Sequence, residues 1–133
     1  STNMKAIEDN SIDIVFASEF FEHLKSLEEL FETFLEIHRV LKEGGKLLIL
    51  CPNIRFLSNK YWDFIDHRLP LSDASMREGL LLYDFKIIKC ESKFLPFTTK
   101  SRLPKSEVLL KLYLKTPFLW KIFGKQMFII AQK

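Results

Sequence analysis

The most constraining stretch of the chain runs from Ser11 to Gly45. Ile12-Asp13-Ile14-Val15-Phe16-Ala17 is an almost continuous apolar run with β-branched residues, the pattern of a strand covered on both faces in a parallel sheet. A polar elbow follows, Ser18-Glu19-Phe20-Phe21-Glu22-His23. Ser26 then suits a helix N-cap, with Glu29 at the capping-box spacing. Leu27, Leu30, Phe31, Phe34, Leu35, Ile37, Val40 and Leu41 recur at helical spacing and make one apolar stripe. Acids crowd its start and bases its end, as the helix dipole favours. Gly44 or Gly45 is expected to supply a left-handed C-cap, and Lys46 to Leu50 a second buried strand. Strand, helix and strand make one βαβ unit with a right-handed crossover.

The rest of the chain builds outward from that unit. Cys51-Pro52-Asn53 closes the second strand. Residues 54–73 read as an irregular segment rich in aromatic and charged side chains. Loops of this length are usually functional or disordered, and the aromatics favour an ordered one. Ser75, with Glu78 three residues on, is expected to cap a short helix running to about Tyr83. Phe85 to Cys90 alternates like a half-exposed strand. Phe94 to Pro104 reads as a loop. Lys105 to Lys115 is an amphipathic helix that breaks before Pro117. Pro117 to Phe123 is a short apolar turn or helix stopped by Gly124, and Gln126 to Ala131 is the last strand. The order β-α-β-loop-α-β-α-β gives the α/β class, and 133 residues suit a single domain.

Composition narrows the function classes. With 47% hydrophobic residues and 13 Phe, the chain can bury a sizeable core. A net charge of +3, with acids and bases interspersed, argues against a dedicated nucleic-acid binder. Two cysteines exclude a disulfide framework and a cysteine-based zinc site, and point to a reducing cytoplasm. No apolar run approaches a membrane span and no signal segment opens the sequence.

Several motifs together resemble class I S-adenosylmethionine (SAM)-dependent methyltransferases. They are Ser11-Ile12-Asp13-Ile14-Val15, then Glu22-His23-Leu24, then Arg39-Val40-Leu41-Lys42-Glu43-Gly44-Gly45. Pro52-Asn53, Asp66-His67 and Tyr83-Asp84-Phe85 follow in the family's order. No single piece is decisive; their order and spacing carry the resemblance, which is looser over the C-terminal third. It implies strands four to seven of a Rossmann-like sheet ordered 3-2-1-4-5-7-6, here the contiguous half 4-5-7-6 with the last-numbered strand antiparallel and helices flanking. Residues 1–133 are thus expected to be one partial domain, the C-terminal half, with 54–73 a substrate-side loop. The family's Gly-rich turn and ribose-binding acid have no counterpart in this sequence, so this piece alone is expected to be inactive. The strand at 12–17, lacking one neighbour, is expected to promote self-association. Cys51 and Cys90 would lie two strand spacings apart, too far for a disulfide.

The resemblance also implies a site. The backbone of Ala17, Ser18 and Glu19 would line the methionine end of SAM. If the elbow is helical, Glu19, Glu22 and His23 share one face. This E-x-x-E-H pattern resembles metal-dependent O-methyltransferases, in which a later His, here His67, completes a site for a divalent ion such as Mg2+. Three readings stay open: a metal set, His23 as general base with Glu22 beside it, or a structural Glu-His pair. Arg55, Tyr61 and Trp62 are candidate contacts for the acceptor, for which a small molecule or glycan suits better than nucleic acid. The Leu109 to Phe123 stretch, with Lys111, Lys115 and Lys121 interleaved, suits a membrane surface or, more commonly, a core or subunit interface. Methyl transfer to a hydroxyl is the expected reaction of the complete enzyme. A non-catalytic half-domain used for interaction or dimerisation is the alternative.

Overall fold

The computed structural model describes residues 4–97 and 107–133. Four strands form one sheet. β1 (Ile12–Ser18) runs parallel to β2 (Leu41–Pro52). β3 (Lys86–Glu91) and β2 each lie antiparallel to β4 (Gln126–Gln132), giving the order β1-β2-β4-β3. This is the order and polarity that the motifs imply. Cys51 stands opposite Met127 and Cys90 opposite Ile129, on strands that flank β4, and both thiols are free.

α1 (Leu27–Val40) crosses from β1 to β2 and buries Leu30, Phe34, Ile37 and Val40. Leu30, Phe34 and Ile37 meet Ala17, Leu47, Ile49, Met127 and Ile129 in one core. Each Leu, Ile or Phe so buried contributes about 1.5–3 kcal/mol. α3 (Asp73–Leu82) covers the same face, where Gly79 lets its backbone close on the Phe34 ring. Only that face of β1 is covered among the described residues. Ile14 and Phe16 point the other way and are 58% and 61% exposed, so the strand is not buried on both faces as its apolar run suggests.

Three local expectations change. Ser26 does cap α1, its Oγ accepting from the Glu29 amide at 3.3 Å, but the Glu29 carboxylate reaches back to the Lys25 amide at 2.8 Å instead of that of Ser26. Gly44-Gly45 does not cap α1. The helix ends at Val40, because the Arg39 and Val40 carbonyls accept from the Asn10 and Ser11 amides at 2.9 Å each. The glycines instead absorb a bulge inside β2, where the register jumps from Ile12↔Leu41 to Ile14↔Lys46. Gly44 has φ +76°, and a Cβ on Gly45 would sit 2.8 Å from the Lys42 carbonyl. The N-cap of α3 is Ser72, not Ser75: the two serines exchange bonds, amide to Oγ, at 3.1 and 2.9 Å.

The segment expected to be irregular holds α2 (Ile54–Leu57) and a 3-10 turn over Ser58–Asp63. The helix expected from Lys105 is α4 (Glu107–Leu114), followed by α5 (Pro117–Phe123). Lys105 and residues 98–104 of the expected loop lie outside the described residues. No helix of the described residues is long and apolar enough to cross a membrane.

Candidate functional site

The site is built where β1 ends. Ala17 is buried in the core, Ser18 is exposed, and Glu19 then takes φ +50°. That left-handed conformation costs a non-glycine residue about 1–3 kcal/mol and marks a backbone held by its surroundings. Here the Glu19 amide donates to the Leu50 carbonyl at 3.0 Å, and its carboxylate accepts from the Gln126 side chain. The elbow continues as a single 3-10 turn, Phe21–His23, not an α-helix. The turn is anchored by Phe21, which is fully buried against Phe34 at 5.6 Å between ring centroids. Glu22 and His23 are therefore brought together by a tight turn and not by helical spacing.

Glu22 is fully buried. Its backbone carbonyl accepts from the Arg68 and Leu69 amides at 2.8 and 3.1 Å, which draws the Asp66-His67 segment over the elbow. One carboxylate oxygen, Oε2, lies 3.5 Å from the Cys51 thiol, which donates to it. The other, Oε1, has no hydrogen-bond partner, the one such buried side-chain atom among the described residues. It faces the Nε2 of His23 at 3.9 Å. Desolvation raises the Glu22 carboxyl above its ordinary range. It also pushes the Cys51 thiol well up, with the Glu22 charge adding to the effect.

Both histidines are oriented by carbonyls. His23 Nδ1 lies 3.1 Å from the Asp66 carbonyl, and His67 Nδ1 lies 2.9 Å from that of Tyr61. A carbonyl oxygen only accepts, so each Nδ1 carries a proton, and in the neutral ring Nε2 is then the lone-pair donor atom. Histidine ligands of metals are held in this way, the second ring nitrogen donating to a carbonyl or carboxylate. Donor atoms of Glu22, His23 and His67 all lie within 4.8 Å of one another. The orphaned carboxylate oxygen and two imidazoles with free Nε2 lone pairs fit a divalent ion. Nitrogen donors suit manganese, iron, cobalt or zinc, whereas magnesium prefers oxygen ligands throughout.

Glu19 stands beside this trio. The residue is largely exposed, but its carboxyl lines a cleft of about 400 Å³ with His23, Phe64, Asp66, His67, Phe97 and Gln126. Desolvation there, and next the charge of Glu22, push it up to about 7.

The expected acceptor contacts fall elsewhere. Tyr61 is fully buried, its hydroxyl donating to the Leu69 carbonyl, and burial raises its pKa. Trp62 is 55% exposed beside it, outside the cleft wall. Arg55 pairs with Asp73 at 3.1 Å. Asp73 is partly desolvated, yet bonds from Ser92, Asn53 and Arg55 hold it below its ordinary range. Phe64, Pro96, Phe97 and Gln126 line the cleft and were not expected there. Gln126 had one legible signal, a polar side chain opening an otherwise apolar strand.

Residues 1–49 match a family described as a methyltransferase domain. No curated protein matches the chain. Solved structures do. A SAM-dependent methyltransferase from Archaeoglobus fulgidus shares 22% identity at a TM-score of 0.66, over 97% of this chain and 62% of that one. One from Methanosarcina mazei shares 17% at 0.70, over 99% and 63%. A Thermotoga maritima protein described as a possible histamine N-methyltransferase shares 16% at 0.70, over 99% and 60%. The chain thus spans under two thirds of the length of these relatives. The family match is confined to residues 1–49, and over its whole length the chain shares the fold of solved SAM-dependent methyltransferases.

Proposed function

We propose that the chain takes part in SAM-dependent methyl transfer to a hydroxyl of a small molecule or glycan, at the cleft beyond β1. The observation that carries this reading is the convergence of Glu19, Glu22, His23 and His67 at the C-terminal end of a parallel strand, where open α/β sheets bind ligands. SAM, when bound, supplies a methyl group on a positively charged sulfur. The turn at Ala17, Ser18 and Glu19 is the part of this chain that would meet its methionine end.

Glu22, His23 and His67 would hold a divalent transition ion, which polarises a bound hydroxyl. In this reading Glu19 takes the acceptor proton on its carboxylate, since a group near 7 is matched to proton removal at neutral pH. The freed oxygen lone pair would then bond to the methyl carbon as the carbon–sulfur bond breaks, its electron pair leaving with the sulfur as a neutral thioether. The aromatic wall of Phe64 and Phe97 keeps water from that carbon and aligns the acceptor, and positioning carries much of the rate in such a displacement.

Calorimetric titration of SAM into this chain, and into a version extended upstream by a strand and Gly-rich turn, tests the assignment. Binding to either supports it, and binding to neither overturns it. A second reading rests on the exposed Ile14 and Phe16 of β1: the chain pairs with a further strand, for instance of a second copy, as an interaction module.

A further inference from the structure

The α4–α5 pair is absorbed by neither the core nor the cleft. No residue of α4 is buried. Val108, Leu110, Leu112 and Leu114 are 73%, 51%, 59% and 40% exposed. Helical spacing puts Glu107, Lys111 and Lys115 on one narrow strip, so apolar side chains take up the remaining circumference. On α5, Phe118, Ile122 and Phe123 are 67%, 54% and 55% exposed. Among the described residues only Trp120 of this stretch is buried.

The pair is nonetheless anchored to the rest of the fold. Tyr113 donates to the Phe94 carbonyl at 2.7 Å, and Trp120 Nε1 to the Tyr113 carbonyl at 2.8 Å. Trp120 is buried edge-on against Phe94, which stacks on Phe128 of β4. Two aromatic residues thus anchor the pair to the sheet while its other apolar side chains face outward.

Charge says what they face. Residues 107–125 hold Lys111, Lys115, Lys121 and Lys125 against the single acid Glu107, a balance of +3 that equals the net charge of the whole chain. Lys93 adds a further cation beside them, its Nζ 3.1 Å from the Lys121 carbonyl. Apolar side chains ringed by lysines are the composition of a helix that lies in the interface of an anionic bilayer. A second copy of this chain would place those lysines against like charges.

We propose that α4 and α5 dock this protein on the surface of a membrane rich in anionic lipid. The docking surface adjoins the cleft: α5 ends three residues before Gln126, which lines the cleft wall. An acceptor held at the bilayer surface would be presented to that wall. The docking itself does not depend on the methyl-transfer reading.

The test is co-sedimentation of the chain with phosphatidylcholine vesicles, with and without phosphatidylglycerol. The expected result is binding only to the anionic vesicles, weakened by salt. Lys115→Gln with Lys121→Gln should weaken it about 25-fold, at about fivefold for each lysine near the surface. Leu112→Ser with Phe118→Ser should abolish it. Circular dichroism of both variants should match the parent, since the substituted side chains are exposed. Absence of binding to either vesicle overturns the proposal, as does binding that neither pair of substitutions reduces. Concentration-dependent dimerisation that Leu112→Ser with Phe118→Ser removes, without vesicle binding, assigns the face to a second copy instead.

Discussion

His23 and His67 meet edge to face, ring centroids 5.4 Å apart, and each donates its Nδ1 proton to a backbone carbonyl, of Asp66 and Tyr61 respectively. In the neutral rings this leaves each Nε2 as the lone-pair donor atom, and that of His23 lies 3.9 Å from the buried Glu22 carboxylate. Long-range nitrogen–proton NMR correlations on the neutral protein should show both rings as the Nδ1–H tautomer. Nε2–H protons on either ring would remove the donor geometry.

Glu19 and Glu22 make stability fall with pH. A carboxyl raised in the folded state keeps its proton while the unfolded chain has lost it. The folded state then binds more protons, and the unfolding free energy drops as pH rises. For Glu19 the window runs from the ordinary value of 4.5 to about 7. Glu19→Gln retains an oxygen for Gln126 and removes the charge. We expect thermal melts of Glu19→Gln and parent to coincide at pH 4 and the variant to be the more stable at pH 8. Equal melting temperatures at pH 8 would contradict the raised carboxyl.

Gly45→Ala should destabilise by about 1–3 kcal/mol, because the added methyl meets backbone oxygens of Lys42 and Ile12 that cannot move without breaking the β1–β2 register. Gly44→Ala is expected to be costly through its left-handed φ, its Cβ making only an ordinary contact with the Gln132 side chain at 3.5 Å. Urea titrations of both variants measure this, and a neutral Gly45→Ala would sink the packing argument.

The bare edge and face of β1 predict self-association. Ile14 and Phe16 lie on one side of a strand that, among the described residues, pairs only with β2. Sedimentation velocity at tens of micromolar should show a dimer or larger species that Phe16→Lys reduces to monomer. A parent chain that stays monomeric contradicts it.

Much of this fold was legible because the βαβ unit writes its periodicities in order: a β-branched run, a 3.6-residue stripe, a second run. The strand order was implied by the methyltransferase resemblance that the motifs from Ser11 to Phe85 carry together. The helix ends were less legible. Asn10 and Ser11 close α1 from a distance, and no local pattern reports a cap supplied by another segment. At the site, Glu22, His23 and His67 were legible as residue types, and the structure places them together. Arg55 and Tyr61 were legible only as residue types, and the structure pairs the first with Asp73 and buries the second. An arginine and a tyrosine in an aromatic loop look alike in sequence whether they face ligand, Asp73 or the core. The wall formed by Phe64, Phe97 and Gln126 comes from three separated segments, which no single pattern joins.

The most direct measurement is a calorimetric titration of Mn2+ into the chain at pH 7.5, with His67→Gln and Glu22→Gln in parallel. The account predicts one site per chain, lost in both variants, while Glu22→Gln stays folded because it keeps an oxygen for the Cys51 thiol. Absence of binding to the parent, or binding unchanged in both variants, would contradict the metal site.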